Sequence, residues 1–477
     1  MKKQSIKKNF IFQILYQFII LVLPLITSPY LTRVLGGHNL GIYVFSYSIG
    51  YYFVIAAMLG IAKYGQRIIA SRRNDENSLR KTFWSLYYAH LIFSLVSLAA
   101  YLFFCLFQKD NKTIFFIQAI YVASALFDIT WLFYGLENFK SVVIKNLFVK
   151  FTSTLLIFLF VKNPSDLWIY TLIMSCSFFA GQFSLLPQAI KLIHPVKICW
   201  NNMKEHFKPL FVLSVAVIAA SLYTMFDKTL IGIFINEDNV AYYEYAYKII
   251  QIPTSIIAVI GTVLFPRSCA CYASGDIKGM KNYFKLAIIF TFFISIGSIF
   301  GLICVSDLFV ELYYGSDFLP SSLILKTLTP LILIVMCGDI VRMQFLIPMK
   351  KDTAYILIAV FNAVLNLSIS CILLPLIGVE GAVVGTISAE LFGLIFQSIV
   401  CRKYIDWLIV IKYLLLFFMS GLVMIFAIFI IKNIFNDGWF ALSLQVGFGM
   451  ITYFIVSFLL VLVIERKQII VYLRKKL

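Results

Sequence analysis

The sequence contains few charged residues. Asp, Glu, Lys and Arg make up 13% of its 477 residues, whereas a soluble domain has about 25%. Hydrophobic residues make up 61%, and the mean hydropathy is +0.93. Because this composition leaves too little polar surface for a soluble fold, the chain is predicted to be a polytopic membrane protein.

Motifs for several kinds of chemistry are also missing. The nine cysteines are scattered without a CxxC pair, which argues against a disulfide framework and a metal site. No GxxxxGK[ST] motif is present, so ATP hydrolysis by this chain is not expected. Of the four histidines, only His90 falls within a predicted span, where a satisfied interior histidine is the simpler interpretation. No catalytic residue and no cofactor are predicted.

The net charge of +18 has an explanation in membrane topology. Basic residues concentrate in alternate segments between apolar runs, and the positive-inside rule assigns these segments to the cytoplasm. The predicted outward segments hold only Lys109, Lys112, Lys162 and Lys432. Both termini are therefore predicted to be cytoplasmic, and no nucleic-acid partner is needed to explain the charge.

Hydropathy predicts an all-α fold with about fourteen transmembrane helices, since a span needs about 20 apolar residues. No A-x-A-like cleavage site follows the first apolar run, which is therefore interpreted as a retained helix. The predicted spans lie near 10–35, 41–62, 83–107, 114–136, 146–162, 167–193, 209–233, 241–266, 286–306, 321–348, 353–376, 380–401, 411–432 and 440–463.

Two stretches of the chain resemble each other, PLITSPYLTRVLGGHNLGIYVFSY at 24–47 and MFDKTLIGIFINEDNVAYYEYAY at 225–247. At one constant offset, Asn39, Tyr43 and Tyr47 match Asn239, Tyr243 and Tyr247. Arg33 is matched by Lys228 after a small change in loop length. An even number of spans separates the copies, so both have the same orientation, as in transporters with a parallel repeat.

This repeat predicts two six-helix bundles related by a parallel pseudo-two-fold axis, followed by a terminal helix pair. The predicted N-terminal bundle covers 1–208 and the C-terminal bundle covers 209–403. The terminal pair and a basic cytoplasmic tail cover 404–477. The space between the bundles is the expected site, with transport by alternating access.

Ionisable residues inside the spans are the candidate functional residues, because they usually face a cavity or one another. They are Arg33, Asp128, Lys150, Asp227, Lys228, Glu244, Lys248, Lys326, Asp339, Arg342 and Glu390. Glu244 and Lys248 are four residues apart and can neutralise each other on one helix face. Asp339 and Arg342, three apart, can do the same.

Arg33 and Lys228 are the leading candidates, because the repeat places them equivalently. The alternative is that both extend to the outer membrane interface. Asp128, Asp227 and Glu390 are candidates for binding H⁺ or Na⁺, which would couple transport to an ion gradient.

Four stretches resemble the polysaccharide flippases (Wzx type) of the multidrug/oligosaccharidyl-lipid/polysaccharide exporter superfamily. They are PLITSPYLTRVLGGHNLGIYVFSYSIGYYF from residue 24, LGIAKYGQRIIAS at 59–71, FDITWLFYGLENFKSVVIKN at 127–146 and FDKTLIGIF at 226–234. The resemblance implies a substrate, an oligosaccharide on undecaprenyl pyrophosphate, that moves to the outer leaflet for O-antigen or capsule synthesis. It also implies a bacterial inner-membrane location, contact with membrane lipids, and a polymerase and a chain-length regulator as partners.

The resemblance also implies residue roles and a groove for the lipid tail, formed with the help of the two extra helices. For pyrophosphate and sugars in the central cavity the candidate contacts are Arg33, Lys228, Lys248 and Arg342, and for the cytoplasmic mouth they are Lys63 and Arg67. Asp128 matches a family position without an assigned role.

Other functions are less compatible with the sequence. A drug/cation antiporter of the same superfamily should offer acidic groups to cationic drugs, whereas these spans carry several cations. A polysaccharide polymerase or glycosyltransferase commonly needs a sizeable outer loop, and the predicted outward loops are short. A membrane O-acyltransferase needs an intramembrane catalytic histidine, and only His90 could serve.

Overall fold

The computed structural model describes residues 6–465, and within that range the side chains other than those of 6–21 and 215–224. The predicted basic tail after residue 465 and the lysines at positions 2 and 3 lie outside the described residues. Throughout the described range the regular structure is helical, without a strand. The predicted all-α polytopic class is therefore confirmed.

The chain forms two compact units, Met1–Ala241 and Tyr242–Leu477. The helices up to the boundary are α1 (Ile6–Met58), α2 (Ile61–Arg72), α3 (Glu76–Leu106), α4 (Lys112–Ser124), α5 (Thr130–Gly135), α6 (Phe139–Phe160), α7 (Leu167–Phe183), α8 (Leu186–Leu192) and α9 (Trp200–Phe234). Helix α10 (Glu237–Ala273) contains the boundary. It is followed by α11 (Ile277–Tyr314), α12 (Pro320–Leu328), α13 (Pro330–Val341), α14 (Asp352–Ile377), α15 (Glu380–Val400), α16 (Trp407–Ile434) and α17 (Gly438–Ile464).

Twelve stretches of the described residues are long and apolar enough to cross a membrane. One of them, Val22–Arg72, contains residues 22–35 of the first predicted span and all of the second, and the helix is broken between them at Gly36. The predicted span at 209–233 lies within α9. The difference from the predicted number thus arises where two spans form one stretch and where side chains of α9 are not described.

Helix α9 packs against α1, α2 and α3 and so belongs to the first unit. This division follows contacts, whereas the predicted bundles at 1–208 and 209–403 follow the sequence repeat. The repeat-based halves, the terminal pair and their pseudo-two-fold relation stay a prediction.

Helix α1 is broken at Gly36, whose φ of 74° and ψ of 173° lie outside the helical region. A Cβ at Gly36 would meet no atom within 4 Å. Glycine is therefore required by the left-handed φ and not by lack of space. The break separates the Pro24- and Pro29-containing first half, which carries Arg33, from the second half, which packs on α9.

Close packing of helices inside the first unit positions the FDITW segment, residues 127–131. Gly65 on α2 lets the indole of Trp131 approach, since an added Cβ would lie 2.6 Å from its Cε3. Similarly, Gly135 of α5 has no Cβ and therefore leaves room for the side chain of Ile69 on α2. This close α2–α5 packing fixes the short helix that begins just after Asp128.

The second unit contains a π-helical turn at Arg342–Leu346, directly after α13. The amide of Ile347 donates to the carbonyl of Arg342 at 3.0 Å, a five-residue spacing. Gln344 is fully buried in this turn, where its Nε2 donates to the Gly261 carbonyl at 3.3 Å. Its Oε1 accepts a hydrogen bond from Ser268.

Candidate functional site

The two cations matched by the repeat have different surroundings in the first unit. Arg33 is exposed on α1, and its Nη1 donates to the Pro29 carbonyl at 3.0 Å. Lys228 on α9 is buried, with 8% of its surface exposed, and its Nζ lies 3.8 Å from Met225 Sδ. The neighbouring Asp227 is also buried. Of these two cations, Lys228 is therefore the one that is buried in the interior of the first unit.

A hydrogen-bonded contact between α1 and α9 holds the segment that carries Lys228. The Thr229 hydroxyl lies 3.0 Å from Ser48 Oγ and 2.9 Å from the Tyr52 hydroxyl. One turn further along α9, Gly232 leaves room for the ring of Phe45. These contacts fix the rotation of α9 and hence the direction of Lys228.

Asp128 lies at the centre of a polar network that sequence reasoning found only in part. Its Oδ1 accepts from the amide and hydroxyl of Thr130 at 3.0 and 2.6 Å, which caps α5. Its Oδ2 accepts from Gln182 Nε2 at 3.1 Å. The Oε1 of Gln182 accepts in turn from Lys145 Nζ at 3.0 Å.

Lys145 and Gln182 are the members that the sequence did not reveal. From the sequence, Lys145 was interpreted only as one of the cytoplasmic charges that orient the chain in the membrane. No sequence pattern indicated a functional role for Gln182. The available signal was that Asp128 and Lys145 fall in the same family-like stretch, 127–146. The three side chains place a carboxylate and an ammonium on either side of one amide, within the first unit.

His90 occupies the interior position expected of it. It is 1% exposed, and its Nε2 lies 2.7 Å from the Ala125 carbonyl. The Ser94 hydroxyl lies 3.2 Å from the same nitrogen.

The candidate cations of the second unit are paired. Lys248 Nζ lies 3.8 Å from Glu244 Oε1 and 3.9 Å from the ring centre of Tyr245. Arg342 donates to Asp339 at 2.8 Å. Both local pairs therefore form as their spacing suggested.

Lys326 has a partner that its sequence neighbourhood did not indicate. Its Nζ lies 2.6 Å from Asp307 Oδ1, and the same carboxylate oxygen accepts from Ser322 at 2.8 Å. A structural ion pair therefore accounts for this cation.

The remaining candidates are exposed or half-buried. Lys63 and Arg67 are both exposed on α2, and Arg67 lies 6.0 Å from the ring centre of Tyr64. Glu390 on α15 and Lys150 on α6 are half-buried.

An apolar groove of about 530 Å³ lies between α10, α11, α16 and α17 in the second unit. Its walls include Leu264, Ile289, Phe293, Phe417, Phe454 and Phe458, and Ser457 is its one hydroxyl-bearing residue. We call this the apolar groove. A surface of this composition can hold a hydrocarbon chain by hydrophobic contact.

His206, near the start of α9, should make the stability of the first unit sensitive to acid. Its Nδ1 lies 2.9 Å from the Tyr64 hydroxyl. Burial and then the nearby charge of Arg72 lower the pKa of His206, with Glu205 opposing them. Because the unfolded chain then binds the proton more readily, stability is greatest above the ordinary pKa of 6.5 and falls as the pH drops below it.

Thermal unfolding in detergent at pH 8 and pH 5 tests this prediction. We expect a drop of a few degrees in the wild-type midpoint on acidification, and a smaller drop in His206→Gln, which keeps a polar partner for Tyr64 but does not titrate. Equal pH dependence in the two proteins would contradict it.

Residues 6–270 match the family described as polysaccharide biosynthesis protein, which is more than half of the chain. A protein of Shigella dysenteriae named as an O-antigen transporter is 24% identical over 82% of this chain and 98% of its own length. A second one, from Escherichia coli strain K12, is 23% identical over 75% of this chain and 88% of its own.

Solved structures share the fold. Lipid II flippase MurJ, in an inward closed conformation, superimposes with a TM-score of 0.78 at 18% identity, over 96% of this chain and 100% of that chain. An inward-facing multidrug resistance MATE family transporter gives 0.61 at 13% identity, over 82% and 97%. The resemblance to the flippases of this superfamily is confirmed, and the chain belongs to the polysaccharide biosynthesis protein family.

Proposed function

We propose that this protein is a flippase that moves lipid-linked oligosaccharide units from the cytoplasmic to the outer leaflet. Relatives that match most of the chain are named as O-antigen transporters, and they are not named as enzymes. The structural observation that carries the proposal is the apolar groove. A lipid-linked sugar brings a hydrocarbon tail that must stay in an apolar environment during transport, and the groove offers one.

The proposed substrate is an oligosaccharide on undecaprenyl pyrophosphate in the bacterial inner membrane. A diphosphate and several sugars lose their hydration when they cross hydrocarbon, at a cost that fixed cations and water in the protein can offset. The prenyl tail meanwhile remains in an apolar environment, for which the groove is suited. A polymerase and a chain-length regulator are proposed to use the units after they reach the outer leaflet.

Arg33 and Lys228 are proposed as the first contacts for the diphosphate or acidic sugars. Lys248 and Arg342 are further candidates, and each lies beside a carboxylate. Lys63 and Arg67 are proposed to meet the headgroup at the cytoplasmic mouth. We propose alternating access of the two repeat halves as the mechanism, with Asp128, Asp227 or Glu390 binding a coupling H⁺ or Na⁺.

Flipping of a fluorescent lipid-linked oligosaccharide in vesicles tests the proposal. Wild-type protein should flip it, and Lys228→Gln should flip it roughly tenfold more slowly, a loss of about 1.4 kcal/mol. Arg33→Gln should show a smaller loss, because an exposed cation remains partly hydrated.

The matched control is Arg80→Gln, since Arg80 forms an i,i+4 pair with Glu76 at the surface. It should flip at the wild-type rate. If wild-type protein moves a cationic drug in the same vesicles but not the lipid, the antiporter alternative replaces this proposal.

A further inference from the structure

A second cavity in the second unit, of about 280 Å³, is lined with lysines. Lys278, Lys281 and Lys285 of α11 form one wall, and Tyr404 and Asp406, just before α16, form another. We call this the lysine cavity. None of its lysines was among the candidate site residues, because each had the simpler explanation of orienting the chain.

The lysine cavity lies where a membrane-spanning helix leaves the hydrocarbon. Helix α11 has 38 residues, or about 57 Å at 1.5 Å per residue, against about 30 Å for a bilayer core. Its first turns can therefore stand in the headgroup layer. The positive-inside rule assigns this end to the cytoplasm.

Two carboxylates at or near the lysine cavity accept hydrogen bonds. Asp406 accepts from the Ile409 amide at 3.3 Å and so caps α16. Glu465 accepts from the Tyr413 hydroxyl at 2.6 Å and from Lys412 at 3.0 Å. The first of these bonds contributes most to lowering the pKa of Glu465, and the charges of Lys285 and Lys412 also favour its ionised form. Three lysines and one carboxylate, that of Asp406, line the cavity, so its lining carries an excess of positive charge.

The lysine cavity and the apolar groove follow each other along the same two helices. Residues four apart lie on the same face of a helix. On one face of α11, Lys285 of the cavity is therefore followed by Ile289 and Phe293, which line the groove. On α16 the corresponding order is Ile409 in the cavity, Tyr413, and Phe417 in the groove.

Tyr413 marks the border between the two. Its ring centre lies 5.9 Å from the Nζ of Lys285, and its hydroxyl is held by Glu465. A molecule with an anionic head and a hydrocarbon tail would meet cations on one side of this ring and apolar side chains on the other.

We propose that the lysine cavity binds the diphosphate of a prenyl carrier lipid at the cytoplasmic surface while the prenyl tail lies in the apolar groove. The inference rests on the proposed function and adds a loading site in the second unit. A diphosphate carries more than one negative charge and matches a lining of three lysines and one aspartate better than the single charge of a phospholipid phosphodiester does. The cavity is smaller than the roughly 300–1,000 Å³ of drug-sized pockets, so the sugars would extend into the cytoplasm.

Binding of farnesyl diphosphate to the full chain in detergent tests the site. The triple variant Lys278→Gln, Lys281→Gln, Lys285→Gln should weaken this binding at least tenfold and leave farnesol binding unchanged. The matched control replaces the exposed Lys191, Lys197 and Lys204 with glutamine, the same change in charge in the first unit, and should bind like wild type. Should the triple variant unfold, the charge reversal Lys281→Glu gives the same comparison.

Three results would contradict the proposal that the lysine cavity binds the diphosphate. Equal binding by the triple variant and wild type would show that the lysines do not bind the head. Equal weakening in the control variant would show a general effect of charge. Displacement of farnesyl diphosphate by phosphatidylglycerol at equal concentration would identify a site for bulk anionic lipid.

The binding and flipping assays together distinguish an error in the proposed loading site from an error in the proposed flippase function. If wild-type protein flips the lipid-linked oligosaccharide and the triple variant flips and binds equally well, the site is wrong and the function stands. If wild-type protein flips nothing but the triple variant loses farnesyl diphosphate, the proposed flipping is wrong while the lysine cavity still binds prenyl diphosphates.

Discussion

Replacing Gly41 with alanine should destabilise the first unit by about 3 kcal/mol, the upper end of the usual range for overpacking. A Cβ at this position would overlap the backbone carbonyl of Glu237. A backbone carbonyl cannot turn aside as a flexible side chain can. Either α1 or the start of α10 must therefore shift, and the 3.1 Å contact between His38 and Asp238 should be lost with it.

The midpoint of thermal unfolding in detergent measures this effect. Gly447→Ala is the matched control, because Gly447 lies inside α17 and its added Cβ would meet no atom within 4 Å. That control should gain up to about 1 kcal/mol from helix propensity. Equal midpoints for the two variants would refute the close α1–α10 contact.

Replacing Asp128 with alanine should cost about 3 kcal/mol, because it removes the acceptor of three hydrogen bonds that contribute about 1 kcal/mol each. In the variant, Gln182 Nε2 loses its hydrogen-bond acceptor. The amide of Thr130, at the start of α5, loses its acceptor as well. Lys145 then keeps only a neutral amide as its partner. We also expect flipping to fall sharply if this network binds the coupling ion.

A double-mutant cycle separates the network from the helix cap. Lys145→Met removes the ammonium but leaves the Asp128–Thr130 bonds intact. If the network couples the two charges, Asp128→Ala combined with Lys145→Met should cost clearly less than the sum of the single variants. Strict additivity would show that Asp128 acts only as the cap of α5.

Local patterns predicted much of the fold. The spans followed from hydropathy, because a bilayer requires about 20 apolar residues at a time. The pairs Glu244–Lys248 and Asp339–Arg342 followed from helical spacing. The break in α1 at Gly36, where φ is positive, falls between the first two predicted spans at 10–35 and 41–62.

Contacts between distant residues could not be predicted in this way. Lys326 finds Asp307 on another helix, and Lys145 reaches Asp128 through Gln182. No spacing rule relates such positions, since the packing of separate helices brings them together. For the same reason the repeat gave no sign that α9 packs within the first unit.

The π-helical turn at Arg342–Leu346 means that this helix accommodates one residue more than α-helical spacing allows. Each residue of an α-helix advances the chain by about 100°, so side chains before and after the turn are offset by that angle. A relative one residue shorter at this point could form a regular helix with the same neighbours, but without a counterpart of Gln344 between Ser268 and Gly261. A single-residue gap inside a membrane helix, which normally signals a faulty alignment, would here be a real insertion.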